Sequence, residues 1–386
     1  MSEADVIARV EDDAGRLSLN RPRALNALTA DMCVAISDAL LAWIDVDAVR
    51  IVLIDHTGER GFCAGGDIRL VAQSGAGDGR EARRFFASEY RMNELLFRYP
   101  KPVVVIMDGI TMGGGVGISM PARLRIATER TLWAMPEGDI GLFPDVGAGW
   151  SLPRLPGQAG AWLALTGARL RAADCVTLGI ATHFVPSGRV AELKSFLTSA
   201  HSRERGNPGF LADGSVQAEV QEKHLDPSFR GDERNIEKVM DEFTADPGPS
   251  PFTEHRPAID RLFAHDTVEG IMAALTIEGS DWALEQQQIM GRKCPTTLKV
   301  ALRLIREGAD RASFAEEMAL EYRVAVRMSR RSDFIEGVRA VILDKDNHPH
   351  WSPTRLEDVS PVMLDEIFAP LAATEEWTPL PDRRSP

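Results

Sequence analysis

Two short runs dictate the class of fold. Arg50-Ile-Val-Leu-Ile-Asp55 and Pro102-Val-Val-Val-Ile-Met107 are apolar at nearly every inner position, with no polar alternation. A strand of that kind is buried on both faces, as in a parallel sheet covered by helices. A third run, Arg123-Leu-Arg-Ile-Ala-Thr128, alternates and predicts a half-buried strand. Between these runs the pattern is helical. Met32, Ile36, Leu40 and Trp43 recur at near-helical spacing after Thr29, a capping residue type. Residues 85–97 form a second apolar-periodic stretch, ended before Pro100. Strands separated by helices predict an α/β architecture with parallel strands and crossovers.

The pattern changes past residue 200. Arg205-Gly-Asn-Pro-Gly-Phe210 and Asp246-Pro-Gly-Pro-Ser-Pro251 are polar and turn-rich. Residues 257–343 return to helical periodicity, with helices expected over 280–290, 299–307 and 313–329. The tail after Pro353 is expected to be irregular in part. A chain of 386 residues has room for roughly two to three domains. The reading divides it into an α/β core over 1–200, a variable insertion or connection over 201–250, and a helical region over 251–386.

Charge and cysteine usage exclude several function classes. Lys and Arg number 44 against 57 Asp and Glu, a net charge of −13. Such a chain presents no general field for nucleic acid or an anionic membrane face. Uncharged runs such as residues 109–122 fall short of the about 18–20 residues that span a bilayer. The start, Met1-Ser2-Glu3-Ala4-Asp5, is acidic and has neither an apolar signal core nor Arg-rich transit character. Cys33, Cys63, Cys175 and Cys294 are widely spaced and form no CxxC, which predicts a reduced, cytoplasmic location and no zinc site.

Two glycine clusters follow the first two strands. They are Cys63-Ala-Gly-Gly-Asp67 and Met112-Gly-Gly-Gly-Val-Gly117. Glycine admits unusual backbone angles and lets a ligand reach the main chain. Two such turns side by side could aim two backbone N–H groups at one oxygen, the arrangement that stabilises developing negative charge. Read singly, each is also an ordinary tight turn. Neither is a GxGxxG, and the chain has no GxxxxGK[ST] and no GxSxG. After the third strand, Trp133-Ala-Met-Pro-Glu-Gly-Asp-Ile-Gly-Leu-Phe-Pro-Asp-Val-Gly-Ala-Gly-Trp150 places Glu137, Asp139 and Asp145 among apolar and turn-forming residues. Desolvation there would raise a carboxyl pKa and suit it to acid–base work. The same residues could equally cap turns and face water.

Together, Gly61-Phe-Cys-Ala-Gly-Gly-Asp-Ile-Arg69, Met112-Gly-Gly-Gly-Val-Gly-Ile-Ser119 and Met135-Pro-Glu with Gly141-Leu-Phe-Pro-Asp-Val-Gly147 resemble the crotonase (enoyl-CoA hydratase/isomerase) superfamily, in particular its hydrolase branch. Leu165-Thr-Gly-Ala-Arg-Leu170, Gly179-Ile-Ala-Thr-His-Phe184 and Asp333-Phe-Ile-Glu-Gly-Val-Arg-Ala-Val-Ile-Leu-Asp-Lys-Asp346 extend the resemblance over about residues 5–355.

The resemblance implies a spiral of ββα units with a helical C-terminal part. It implies an acyl-CoA thioester as substrate and no cofactor beyond that CoA, and leaves a homo-oligomer open. By motif position the amides of Gly66 and Gly114 would hold the thioester oxygen. A hydratase of this superfamily carries a glutamate three residues after the second of these amides, and here that position is Gly117. The second glutamate is present as Glu137, and Asp145 stands where hydratases usually have glycine. The pair Glu137 and Asp145 shifts the expectation from hydration to thioester hydrolysis of a short 3-hydroxyacyl-CoA, with 3-hydroxyisobutyryl-CoA of valine breakdown first among the substrates. Glu137 would attack the carbonyl or activate water. Asp145 would position water or the substrate hydroxyl. For CoA itself the resemblance points to Arg23, Ala24, Ala64, Gly65, Asp67, Ile68 and Gly113, with Arg21 and Arg69 as further phosphate contacts.

Overall fold

The computed structural model describes residues 4–203 and 230–381. The chain begins with an antiparallel hairpin, β1 (Val6–Glu11) and β2 (Ala14–Leu19), followed by α1 (Ala30–Trp43). Thr29 caps α1 by accepting from the Met32 N–H at 3.2 Å. A pair of strands then recurs three times: β3 (Ile51–His56) with β4 (Gly61–Cys63), β5 (Val103–Met107) with β6 (Ile110–Met112), and β7 (Leu124–Ala127) with β8 (Leu132–Ala134). The first pair is followed by α2 (Ile68–Gly75) and α3 (Arg80–Phe97), the second by α4 (Gly114–Ser119), the third by a 3-10 turn, Glu137–Ile140.

The members of each pair join different sheets. β3, β5 and β7 extend a six-stranded sheet of order β1-β2-β3-β5-β7-β9, where β9 is His183–Phe184, while β4, β6 and β8 form a three-stranded sheet. Repetition of that step winds the chain into a spiral. All neighbours but β1 and β2 are parallel. The uninterrupted apolar runs now have a reason. Val52 and Ile54 face one core with α1 and α3, whereas Ile51 and Leu53 face a second core. Both faces of β3 are therefore closed to water.

Three helices precede β9 or connect to it: α5 (Ala148–Ser151), α6 (Ala159–Thr166) and α7 (Ala172–Thr177). The second core is roofed by α8 (Val190–Arg203) and α9 (Arg230–Phe243), through Val190, Leu193, Leu197, Ile236, Met240 and Phe243. Within the connection expected over 201–250, residues 201–203 end α8 and 230–243 form α9, whereas 244–250, which hold most of the Asp246–Pro251 turn motif, carry no regular element. Residues 204–229, which hold its Arg205–Phe210 turn motif, lie outside the described residues. The strongly polar face of α9 hid its apolar stripe from a reading based on composition.

Seven further helices complete the fold: α10 (Pro251–Leu262), α11 (Val268–Glu278), α12 (Asp281–Gly291), α13 (Pro295–Gly308), α14 (Phe314–Met328), α15 (Ser332–Val338) and α16 (Pro361–Phe368). Ser280 caps α12 and Ser313 caps α14. Leu298, Leu304, Met318, Val324 and Phe334 from these helices share one continuous core with Phe86, Tyr90 and Leu165 of the first half. Among the described residues no helix is long and apolar enough to cross a membrane.

Candidate active site

β4, β6 and β8 are neighbours and run the same way, so the turns that follow them emerge side by side. Adjacent strands lie about 4.8 Å apart, which keeps these turns within side-chain reach of one another. The first turn carries Gly65 and Gly66, the second Gly113 and Gly114, the third Glu137. Gly113 adopts φ +47 and ψ −118, a conformation open to glycine. A Cβ placed there would stand 3.1 Å from Oε1 of Glu137 and 3.2 Å from Cα of Gly65. The Glu137 carboxyl therefore lies against the second glycine turn, whose Gly113 in turn adjoins Gly65 of the first.

The two amides are oriented by their surroundings. Leu28 bridges to Gly66 through the flanking groups: its N–H donates to Gly65 O, and its carbonyl accepts from Asp67 N–H, both at 2.8 Å. The Gly66 N–H is left pointing away from that ladder. Gly114 opens α4, where a first-turn N–H has no intrahelical acceptor. Neither N–H donates to another backbone group among the described residues.

Glu137 is 6% exposed, and its Oε2 has no hydrogen-bond partner among the described residues. Burial pushes its pKa well above the ordinary carboxylate range, the Asp145 charge adds to the push, and Lys293 opposes it. Lys293 comes from the turn before α13. Its buried Nζ pairs with Asp139 Oδ1 at 2.5 Å, and its stem packs against Gly138. Asp139, one of the three carboxylates of the sequence motif, is thus paired with Lys293 and half exposed.

Asp145 is 5% exposed and accepts from Tyr90 Oη at 2.7 Å. Burial raises its pKa to about 6, with the Tyr90 bond pulling the other way. The next residue, Val146, has φ +54, an outlier for a β-branched side chain and a sign of a strained, functional loop. Glu321 of α14 holds that loop. Its two carboxylate oxygens accept from the N–H groups of Gly147 and Gly149 at 2.8 and 2.9 Å.

Three residues of α3 that the motifs did not single out reach the same place: Glu89, Tyr90 and Asn93. Glu89 Oε1 would lie 2.5 Å from a Cβ on Gly114, is buried, and has no partner among the described residues. Burial raises its pKa well above normal, and the charges of Asp145 and Glu137 raise it further. A Cβ on Gly117 would meet Asn93 Nδ2 at 2.6 Å and Val146 Cβ at 2.7 Å. The volume into which a hydratase glutamate would extend from that position is filled. A sequence signal existed: Glu89 and Asn93 interrupt the apolar stripe of Phe85, Phe86 and Leu96 at helical spacing.

The segments expected to carry CoA adjoin one another, and most of their backbone donors are already engaged. The segments at 21–28 and 61–68 are laced together by Asn26 Nδ2 to Gly61 O, Ala64 N–H to Leu25 O, and the Leu28 bonds. The N–H groups of Ala24, Ala64, Asp67 and Ile68 all donate within the protein, to the carbonyls of Arg21, Leu25, Leu28 and Gly66. They are not free to donate to a ligand, so only carbonyls and side chains remain at these positions. Arg21 is taken up by Asp67 and by the carbonyl of Ala27, and Arg69 donates to Ile342 O. Arg23 is exposed. Among the described residues no group of three His, Cys, Asp or Glu side chains is arranged to hold a metal ion.

A ββα spiral whose strand ends set two glycine turns against a buried carboxyl is the crotonase fold, in the α/β class. Residues 14–368 match the family model for enoyl-CoA hydratase/isomerase. The chain belongs to that family. Among curated proteins it is 41% identical over 370 residues to 3-hydroxyisobutyryl-CoA hydrolase, mitochondrial, of Gallus gallus, covering 96% of this chain and 90% of the relative. The protein of the same name from Homo sapiens is 38% identical over 371 residues, with the same coverage. Among solved structures, a carnitinyl-CoA dehydratase from Mycobacterium thermoresistibile superposes with a TM-score of 0.85 at 36% identity, covering 97% of this chain and 99% of that one. An enoyl-CoA hydratase from Rhodobacter sphaeroides 2.4.1 gives 0.80 at 37% identity, covering 97% and 100%.

Proposed function

We propose that the chain hydrolyses 3-hydroxyisobutyryl-CoA to 3-hydroxyisobutyrate and free CoA, a step of valine breakdown, with no cofactor besides the CoA of its substrate. One observation carries the choice of hydrolysis over hydration. The space beside Gly117 is occupied by Asn93 and Val146, while Glu137 lies against Gly113 and Asp145 is buried on Tyr90. The names of the curated relatives support the same choice.

The thioester oxygen would lie between the N–H groups of Gly66 and Gly114. A tetrahedral oxyanion there gains two preorganised donors, each worth about 3–4 kcal/mol in comparable sites. Glu137, once ionised, is desolvated and its Oε2 has no partner among the described residues, which makes it a strong nucleophile or base. In the covalent route its oxygen bonds to the acyl carbon, the C–S bond breaks, and CoA departs as thiolate. Water then opens the anhydride and restores the carboxylate. In the direct route Glu137 takes a proton from water and the hydroxide adds to the carbonyl; collapse of the adduct breaks the C–S bond, CoA departs as thiolate, and the proton leaves Glu137 to restore its carboxylate. In both routes Asp145, held by Tyr90, orients the water and passes a proton toward the thiolate. Hydroxylamine quenching during turnover separates them, because only the anhydride yields an acyl hydroxamate faster than the thioester itself does.

The two solved neighbours, a carnitinyl-CoA dehydratase and an enoyl-CoA hydratase, support a second reading, a hydratase or dehydratase acting on another acyl-CoA. One experiment decides. Thiol release from 3-hydroxyisobutyryl-CoA without hydration of crotonyl-CoA is the expected result, and the reverse pattern would overturn the hydrolase reading. A cytoplasmic location belongs to the same proposal, in keeping with four buried, unpaired cysteines.

A further inference from the structure

Asn93 is fully buried, and neither its Oδ1 nor its Nδ2 has a hydrogen-bond partner among the described residues. Native proteins rarely leave a buried side-chain amide with both ends unpaired, and such a group calls for a functional explanation. Its place supplies one. Asn93 follows Glu89 by one turn of α3, so both side chains leave the helix on the same face. Glu89 stands against Gly114, and Asn93 against Gly117 and Val146. The pairing advances along α3 and α4 in the same direction, so Asn93 lies about 4.5 Å further along α4 than the amide proposed for the carbonyl oxygen. Val146 follows Asp145 in the chain, so the amide lies against the loop that carries the second carboxylate.

We infer that Asn93 is a specificity-determining residue that binds the 3-hydroxyl of the acyl group. The inference rests on the hydrolase reading. A hydroxyl both donates and accepts, and so does a carboxamide, so one hydroxyl satisfies an end of each kind. Glu89, Glu137 and Asp145 offer only acceptors when ionised. The 3-hydroxyl is two carbons from the carbonyl, a reach comparable with the about 4.5 Å by which Asn93 is displaced along α4 from Gly114. An acyl chain without that oxygen would leave the amide unpaired, and a site built this way discriminates strongly against it.

The test compares 3-hydroxyisobutyryl-CoA with isobutyryl-CoA, which lacks only the hydroxyl, in the wild type and in N93L and N93A. The wild type should favour the hydroxylated substrate by about 10²-fold or more in kcat/KM. Both variants should lower that ratio at least about tenfold, mainly through the hydroxylated substrate. N93L, of nearly equal volume, should also show an unchanged or higher thermal midpoint, since it removes unpaired buried polar atoms. N93A keeps the readout should the larger side chain disturb folding. An unchanged ratio, or a parallel loss on both substrates, would overturn the role of Asn93 and leave the hydrolase reading standing. Absence of thiol release from either substrate in the wild type would instead overturn the hydrolase reading itself.

Discussion

The phenol of Tyr90 donates to Oδ2 of Asp145 at 2.7 Å, with the tyrosine fully buried and the aspartate 5% exposed. A hydrogen bond to the ionised form of a carboxyl lowers its pKa, and here it works against burial. Tyr90→Phe should therefore move the Asp145 pKa upward from about 6. The measurement is a titration of the labelled aspartate carboxyl by NMR. A downward or absent shift would mean that the phenol does not govern this group.

Glu137→Gln should lower kcat by about 10²–10⁴-fold while leaving the fold intact. Its effect on stability should depend on pH. The wild-type carboxyl has a raised pKa in the folded state. Its favourable contribution is complete below the ordinary value of about 4.3 and declines as pH rises toward the folded value. A glutamine keeps the neutral state at every pH. The thermal midpoint of the variant should match the wild type near pH 4 and exceed it increasingly above pH 6.

Lys293→Met removes a buried cation that holds the Glu137 pKa down. Burial and the Asp145 charge push the other way, and Glu89 and Asp139 add further negative charge around the group. The acid limb of kcat/KM should move to higher pH in K293M and stay near its wild-type position in K293R. Rates measured between pH 5 and 9 check this. An unmoved limb in K293M would remove Lys293 from the electrostatics of the site.

Gly117→Glu should not produce a hydratase. Its Cβ alone would approach Asn93 Nδ2 to 2.6 Å and Val146 Cβ to 2.7 Å. Overpacking of this kind costs about 1–3 kcal/mol before the rest of the side chain is placed. The expected result is a lowered thermal midpoint, impaired thiol release and no hydration of crotonyl-CoA. Hydration by G117E would show that α3 yields easily at this point.

The runs at 51–54 and 103–107 announced buried parallel strands because their residues leave no polar face, and two cores indeed sandwich them. The glycine turns and Glu137 were legible for a related reason. Unusual backbone angles and a carboxyl among apolar neighbours leave marks in the local sequence. Glu89 and Asn93 left only a weak one, two polar residues within an apolar helical stripe. Glu321 left none, since nothing near residue 321 indicates which loop, 172 to 174 residues earlier, its carboxylate will hold. The engaged amides of Ala64, Asp67 and Ile68 were equally hidden. A backbone donor is spent or spare according to its tertiary partners, not its residue type.

The grip of Glu321 on Gly147 and Gly149 binds the two halves of the chain into one catalytic unit. A shortened version ending near residue 250 would keep every residue proposed to touch the thioester, yet lose the clasp that shapes the strained loop beside Asp145. Grafting the C-terminal helices of a relative onto this core would have to carry across a matched clasp and loop together. Change at either end is thereby yoked to change at the other.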